Sequence, residues 1–431
     1  MRTDRRWVMA SVFAVAALLA AGCSAKHTPP DAQTVPGGSA TVPQSVASTV
    51  EPPIPTPTPT PPAPLARLAL SPHSGAKTVS PVAPITVSVT DGVLGTVRLV
   101  NTGTGKVVKG KLSDDKTSWQ ASEVLGYSNA YKLSATATNA DGIKASKTST
   151  FQTLTPDNLT MPYLNVPGGF SMTNGATYGV GVIPVVHFDE PITNKAAAEK
   201  ALTVTTKPEV AGAWYWVDDS NVHYRPKDYW PTGTKVTVSA NVYGVQVGPG
   251  LYGQADASVS FKIGPKHIAI ADDTTHQVKV YFNGKLQRTM PTSMGRHTTI
   301  PGVNGPVSLW TMQGTYTVIS HENPAIMDSS TFGVPVNSPN GYRVSIYWAT
   351  KISTDGIYLH YLNTEYAQGS YDVSHGCLNL NLDNATWYFN TSLIGDVVKV
   401  VSPDAPKIEL WQGGDWDVPW AKWLKGSALH N

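Results

Sequence analysis

Short runs that alternate apolar and polar residues recur along most of this chain, with a period of two. Residues 85–89 (Ile-Thr-Val-Ser-Val), 97–100 and 132–136 alternate in this way. Turn formers separate them at Asp91-Gly92, Asn101-Thr102-Gly103 and Asp141-Gly142. Such runs between Gly, Asn and Asp predict half-buried strands, and about ninety residues of them at this spacing predict a β-sandwich over 65–154. Residues 155–264 repeat the theme, with strands predicted at 182–188, 213–217, 235–242 and 257–263. One short Ala-rich helix is predicted at 194–202, capped by Thr193 or Asn194. His187 alternates with apolar neighbours and reads as a packed side chain, and the loop 244–253 carries no carboxylate to hold a metal.

The pattern changes near residue 265. Residues 278–282 and 285–290 flank Asn283-Gly284, a pair suited to the two positive-φ positions of a type I′ turn, so a hairpin is predicted there. Strands follow at 314–320, 342–350 and 356–361, then a short helix through about 390 capped by Leu382-Asp383-Asn384, and a closing strand at 396–401. These make a third, β-rich domain over 265–403, with a tail at 404–431. Trp411, Trp416, Trp420 and Trp423 crowd that tail, which is expected to pack on the third domain.

The first 64 residues carry no such alternation. Arg2, Arg5 and Arg6 precede an apolar run at 7–21 that ends in Ala20-Ala21-Gly22-Cys23, the layout of a secretory signal too short to span a bilayer comfortably. Its ending resembles a bacterial lipoprotein cleavage box, which would make Cys23 the lipidated first residue of the mature chain and place the rest outside the cytoplasm, anchored at the outer face of the membrane. Residues 24–64 are rich in Pro and Thr and predict an extended tether. The net charge of +2, with 14% charged residues, gives no basic stripe for nucleic acid.

Chemistry concentrates in Ser374-His375-Gly376-Cys377-Leu378-Asn379. Cys377 is one of two cysteines in 431 residues; with Cys23 consumed at the signal it has no disulfide partner. A histidine two residues away supplies the base that a thiol nucleophile needs. Gly376 permits a tight turn that could aim the Gly376 and Cys377 amides at an oxyanion. A zinc site built from His360, His375 and Cys377 is the rival reading, but it lacks an evident fourth ligand.

His360 followed by Ser374-His375-Gly376-Cys377-Leu378-Asn379 resembles the signature of the L,D-transpeptidases, the YkuD-type peptidoglycan enzymes. The resemblance extends over about residues 155–425. Met327-Asp328-Ser329-Ser330, the stretch from Gly333 through Val334, Pro335 and Asn340 to Tyr342, and Gly414-Asp415-Trp416 are similar to an actinobacterial branch of lipoproteins that places Ig-like domains before the catalytic domain. The implied fold is mainly β, with two Ig-like sandwiches before a YkuD-type domain. The resemblance implies Cys377 as nucleophile, His375 as general base, and the backbone carbonyl of Tyr361 as the group that orients His375. It places Tyr342 at the donor pocket, with Asp355, Gly356, His360, Ser374 and Asn379 around the stem peptide. Met327 and Phe332 would line the entrance beneath a flap of roughly residues 296–332. No metal or organic cofactor is implied, and carbapenems are implied as inhibitors.

Three departures stand out. Thirteen residues separate His360 from Ser374, fewer than the family usually has; Tyr361 is bulkier than its usual counterpart; and Phe332 stands where a Tyr is common. The implied reaction links two peptidoglycan stems 3→3 through meso-diaminopimelate by a thioester acyl-enzyme, with release of D-Ala. Hydrolysis of the same intermediate, an L,D-carboxypeptidase activity, is the alternative. A non-catalytic wall-binding lipoprotein is the alternative from another class.

Overall fold

The architecture is a computed structural model that describes residues 61–430. The signal segment 1–23 with Cys23, and all but the last residues of the tether 24–64, lie outside the described residues.

Two four-stranded antiparallel sheets form the first sandwich. One orders Arg67–Ser71, Thr86–Thr90, Ser118–Ala121 and Gly110–Leu112; the other orders Val107–Val108, Val93–Asn101, Ala130–Thr138 and Lys144–Gln152. In Ala130–Thr138 every second residue from Tyr131 to Ala137 is buried, so the sequence period of two becomes one packed face. Val87, Leu99, Trp119, Leu133 and Phe151 meet in one core between the sheets.

The second sandwich faces a five-stranded sheet, centred on Val185–Phe188, against a four-stranded sheet that runs Thr177–Tyr178, Ala257–Ile263, Lys235–Ala240 and Leu202–Lys207. Phe188, Trp230, Val238 and Phe261 fill it. Helix α1 (Lys195–Lys200) is capped by Asn194, whose side chain accepts from the Ala197 amide. The strand expected from residue 182 starts only at Val185, because the preceding segment bonds to the third domain instead. The amides of Gly179 and Gly181 donate to the carbonyls of Ile394 and Gly395. A Cβ at Gly179 would lie 2.2 Å from the Asp396 nitrogen, so this approach requires glycine. The core of the second sandwich accordingly runs on into Ile319 and Val397.

In the third domain a five-stranded sheet orders Lys285–Pro291, Gln277–Phe282, His267–Asp272, Val397–Val401 and Gly314–Thr317. Asn283 and Gly284 both have positive φ, 49° and 81°, as the type I′ hairpin requires. Val397–Val401 lies inside the sheet, parallel to His267–Asp272 and antiparallel to Gly314–Thr317. Its nearly continuous Val run suits a strand covered on both faces. The single strand expected at 314–320 divides in two, and buried Val318 and Ile319 carry the chain from this sheet to the next. That second sheet orders Ser320–Glu322, Arg343–Lys351, Tyr358–Tyr361 and Leu378–Leu380, with Ala325–Asp328 paired to Arg343–Lys351. Leu359 and Leu378 of this sheet meet Met290, Tyr316 and Val398 in the domain core. Helix α2 (Leu382–Thr391) is capped by Asn381, one residue before the expected cap, because the Asn381 side chain reaches the Asn384 amide.

The tail corrects an expectation. It divides between two domains: Ala405, Pro406, Ile408 and Trp411 meet Gln313 and Thr354 of the third domain, as expected, while most of the residues from Asp415 on pack on the second sandwich. Trp423, in helix α3 (Trp420–Leu424), is wholly buried and donates its indole N–H to the Ala213 carbonyl at 2.9 Å. Trp416 donates to the Gly181 carbonyl at 2.8 Å. Buried Arg225 lies over the rings of Trp416, Trp420 and Trp423, at 5.0, 5.4 and 4.4 Å. An indole must place its N–H on an acceptor when buried, and the sandwich edge offers free carbonyls and a cation. Contacts with the third domain remain: the Thr315 amide donates to Asp417 and Gln412 Nε2 to Asp355.

Candidate active site

Leu378–Leu380 runs parallel to Tyr358–Tyr361, with His360 opposite Asn379. Cys377 therefore stands at the start of the last strand of this sheet, and the residues before it form the loop at the strand's mouth. The Ser374 hydroxyl holds this loop's shape: it donates to the Cys377 carbonyl at 2.7 Å and accepts from the Gly376 amide at 3.0 Å. Gly376 has φ +127°, and a Cβ there would come within 2.7 Å of Ile357 Cδ1. Its carbonyl accepts from Thr311 Oγ1 at 2.8 Å. The Gly376 amide, expected as an oxyanion donor, is thus occupied by Ser374, because a tight turn needs that bond to keep its shape.

The thiol is buried and protonated. Sγ faces the Gly356 carbonyl at 3.6 Å as a weak donor. Burial pushes the Cys377 thiol up to about 12, the Asp355 charge adds to this, and the Tyr358 amide opposes it.

His375 is held by a residue that no sequence motif pointed to. Arg296 Nη2 lies 3.0 Å from His375 Nε2. A guanidinium only donates, so Nε2 offers its lone pair and the ring is neutral, with its proton on Nδ1. Burial holds His375 below the usual imidazole range, the Arg296 charge lowers it further, and a backbone hydrogen bond at Asn340 opposes them. The Tyr342 ring stands edge-on to His375 at 5.0 Å. Burial, then the proximity of Cys377, raises the Tyr342 phenol, which stays protonated. The Tyr361 carbonyl does not orient His375 as expected. It pairs at 3.0 Å with Nδ1 of His360, its neighbour on the same strand, whereas His375 sits on the loop facing Tyr342. Complete burial pulls His360 down to about 4, against the Tyr361 bond, and keeps it neutral.

A cavity of about 270 Å³ opens over the thiol and brings together Met327, Tyr342, His360, Ser374, His375, Cys377 and Asn379. Leu362, Thr364 and Tyr366 also line it, unmarked in the sequence because they lie in a loop without periodicity. Asn379 is 1% exposed, and neither its side-chain oxygen nor its nitrogen has a hydrogen-bond partner among the described residues. A buried orphan amide at a cavity wall is a ready ligand contact.

Other expected residues stand back. Both carboxylate oxygens of Asp355 are taken, by Ser353 Oγ and Gln412 Nε2, so it braces a turn. Gly356 presents its carbonyl to the thiol. Phe332 packs with Ile300, Leu309 and Val334 under the hairpin Thr299–Gly302/Gly305–Ser308, its ring 6.1 Å from that of Tyr342. It supports the flap from behind Tyr342. A larger cleft, about 570 Å³, lies between the second sandwich and the tail near Tyr163, His223 and Trp411, but it contains no nucleophile with a base beside it.

This arrangement can perform acyl transfer: a protonated thiol and a neutral imidazole line one largely apolar cavity together with an unpartnered amide. Residues 76–246 match the family model described as bacterial Ig domain, and residues 266–400 match the one described as L,D-transpeptidase catalytic domain. The chain is 43% identical over 364 residues to L,D-transpeptidase 2 of Mycobacterium tuberculosis, covering 84% of this chain and 85% of that protein. It is 34% identical to L,D-transpeptidase 5 of the same organism, over 85% of this chain and 78% of the relative. A solved structure of L,D-transpeptidase 3 from M. tuberculosis, in complex with a faropenem-derived adduct, is similar at a TM-score of 0.43 and 34% identity, covering 53% of this chain and 95% of that one.

Proposed function

The chain belongs to the L,D-transpeptidase family, and on that premise we propose that it forms 3→3 cross-links between meso-diaminopimelate residues of peptidoglycan stems, with Cys377 as nucleophile. His375 takes the thiol proton, and the thiolate attacks the carbonyl of the third residue of a tetrapeptide stem. The bond to the D-Ala nitrogen breaks, His375 returns the proton to that leaving amine, and a thioester remains on Cys377. The side-chain amine of a second stem's diaminopimelate then attacks the thioester, giving its proton to His375, and the thiol is regenerated. For the first transfer Arg296 must release Nε2, which it now occupies at 3.0 Å. Catalytic hydrogen bonds commonly tighten only once substrate is bound.

The observation that carries this reading is a cavity lined together by the buried Cys377 thiol, a neutral His375 and the Asn379 amide, which lacks a partner among the described residues. A carbonyl positioned there would lie against both the thiol and the unpartnered amide. By the same reading a β-lactam of the carbapenem class acylates Cys377, as the family resemblance implies. The segment 1–23 and Cys23 support export and lipid anchoring at the outer face of the membrane, where stem peptides are found.

The test uses the purified protein, Cys377→Ala as control, and a diaminopimelate disaccharide-tetrapeptide, with products and intact protein followed by mass spectrometry. A dimer that has lost one D-Ala, absent with the variant, is the expected outcome. Tripeptide alone would instead establish L,D-carboxypeptidase activity. Neither product nor covalent adduct would overturn the enzymatic reading and favour a wall-binding lipoprotein.

A further inference from the structure

A second group of chemically competent side chains lies beside the catalytic loop. Asp273 follows the strand His267–Asp272, His297 precedes the flap hairpin, and Asp372 stands two residues before Ser374. The three segments bring one ligand-type atom from each residue within 4.8 Å of the others. Both oxygens of Asp273 lie 3.0 Å from His297 Nε2, and Asp372 Oδ2 lies 3.4 Å from the same nitrogen. Ligands about 2.0–2.2 Å from one tetrahedral ion sit roughly 3.3–3.5 Å apart, close to these separations.

Asp372 points to a missing partner. Its side chain is 4% exposed, yet Oδ2 has no hydrogen-bond partner among the described residues. His276 Nδ1 lies 3.3 Å from Oδ2, and it too is buried without a hydrogen bond. Among the described residues the ion-pair contacts of Asp273 and Asp372 are all to histidines, so no Lys or Arg neutralises two facing carboxylates. The remaining oxygens are already oriented: Ser402 Oγ donates to Asp273 Oδ2 at 2.6 Å, and the Met294 amide donates to Asp372 Oδ1. Supporting bonds of this kind hold carboxylate ligands in place. His297 is 43% exposed, with its ring stacked on Trp310 at 4.1 Å, which leaves a route in from solvent.

We propose that Asp273, His297 and Asp372 form a binding site for a divalent transition-metal ion of the zinc class, with water completing its shell. Imidazole with carboxylates suits such an ion. The ion ties the base of the flap to the loop that carries His375, because His297 follows Arg296 and Asp372 precedes Ser374. The site stands apart from the cysteine chemistry and contains none of its residues.

The test is calorimetric titration of chelator-stripped protein with zinc chloride, in a Cys377→Ala background so that the thiol cannot bind the metal. Thermal melts with and without zinc accompany it. One zinc per chain and a higher melting temperature are expected, with affinity reduced by about 100-fold or more in both Asp372→Asn and His297→Gln. His297 is partly exposed, so that variant tests the site even if Asp372→Asn fails to fold. No saturable binding, or binding that His297→Gln leaves unchanged, would overturn the proposal.

Discussion

Arg296 is the residue that most alters the expected chemistry. Its guanidinium sits on the nitrogen with which His375 would take a proton, and its charge lowers that imidazole's basicity, second only to burial. A base whose pKa lies below the usual value stays neutral, and so competent, to lower pH. Arg296→Met should therefore move the acidic limb of kcat/KM toward higher pH, as a pH–rate profile would read. An unchanged limb would mean that His375 is not the titrating base. The thiol gives a second expectation. With Cys377 pushed up to about 12, almost none is thiolate at neutral pH. Alkylation by iodoacetamide should be slow at pH 7 and still rising at pH 9, and a plateau below pH 8 would contradict the buried thiol. His360 bears on stability. Its folded value of about 4 lies below an unfolded value near 6.5, so below pH 6.5 the unfolded chain takes the proton first. The catalytic domain should lose up to about 3 kcal/mol as pH falls from 6.5 to 4. Melting curves across that window should show the loss, and His360→Asn should flatten it.

At the scale of elements, the loop before Cys377 is a turn built on one glycine and one serine. Gly376 adopts φ +127° against Ile357, and Ser374 bonds both sides of it. Gly376→Ala combines an unfavourable backbone angle with a contact of 2.7 Å. About 1–3 kcal/mol of strain should follow, and kcat should fall at least tenfold as the loop shifts. Far-UV circular dichroism should stay native, since the strand Leu378–Leu380 pairs independently of that side chain. The parallel pairing of that strand with Tyr358–Tyr361 delivers Cys377, His360 and Asn379 to one cavity from distant parts of the sequence. The SHGC string was legible because its members are contiguous. Arg296 was not, because it lies 79 positions from His375 and only the fold closes that gap.

For the whole molecule, the tail clamps the second sandwich to the catalytic domain. Buried Glu199 accepts from Trp216, Ser427 and Ala428, and buried His223 pairs with Asp415 at 2.6 Å. Trp423 lies at the centre of these contacts, wholly buried and beneath Arg225. Trp423→Ala should cost about 3–5 kcal/mol through the cavity it leaves. The melting temperature should fall by roughly 10 °C. Chain loss from residue 404 should unsettle the second sandwich as well, and limited proteolysis would reveal cleavage there. If only the catalytic domain became susceptible, the tail would not be the clamp described here.

Alternation of period two was enough to place most strands, since a half-buried strand must repeat its apolar side at that interval. Asn-Gly was enough for the hairpin, and the contiguous Cys-His string pointed to the loop that lines the cavity over Cys377. These features are local, and local sterics or bonding produce them. The partners of each side chain depended on which strands the fold set side by side. Tertiary structure gave Arg296 to His375, Thr311 to the Gly376 carbonyl, and much of the Trp tail to the second sandwich. It also brought Asp273, His297 and Asp372 together. Each of these pairings joins groups whose attraction acts over a few ångströms. Separation along the chain carries no record of which groups will meet at that range.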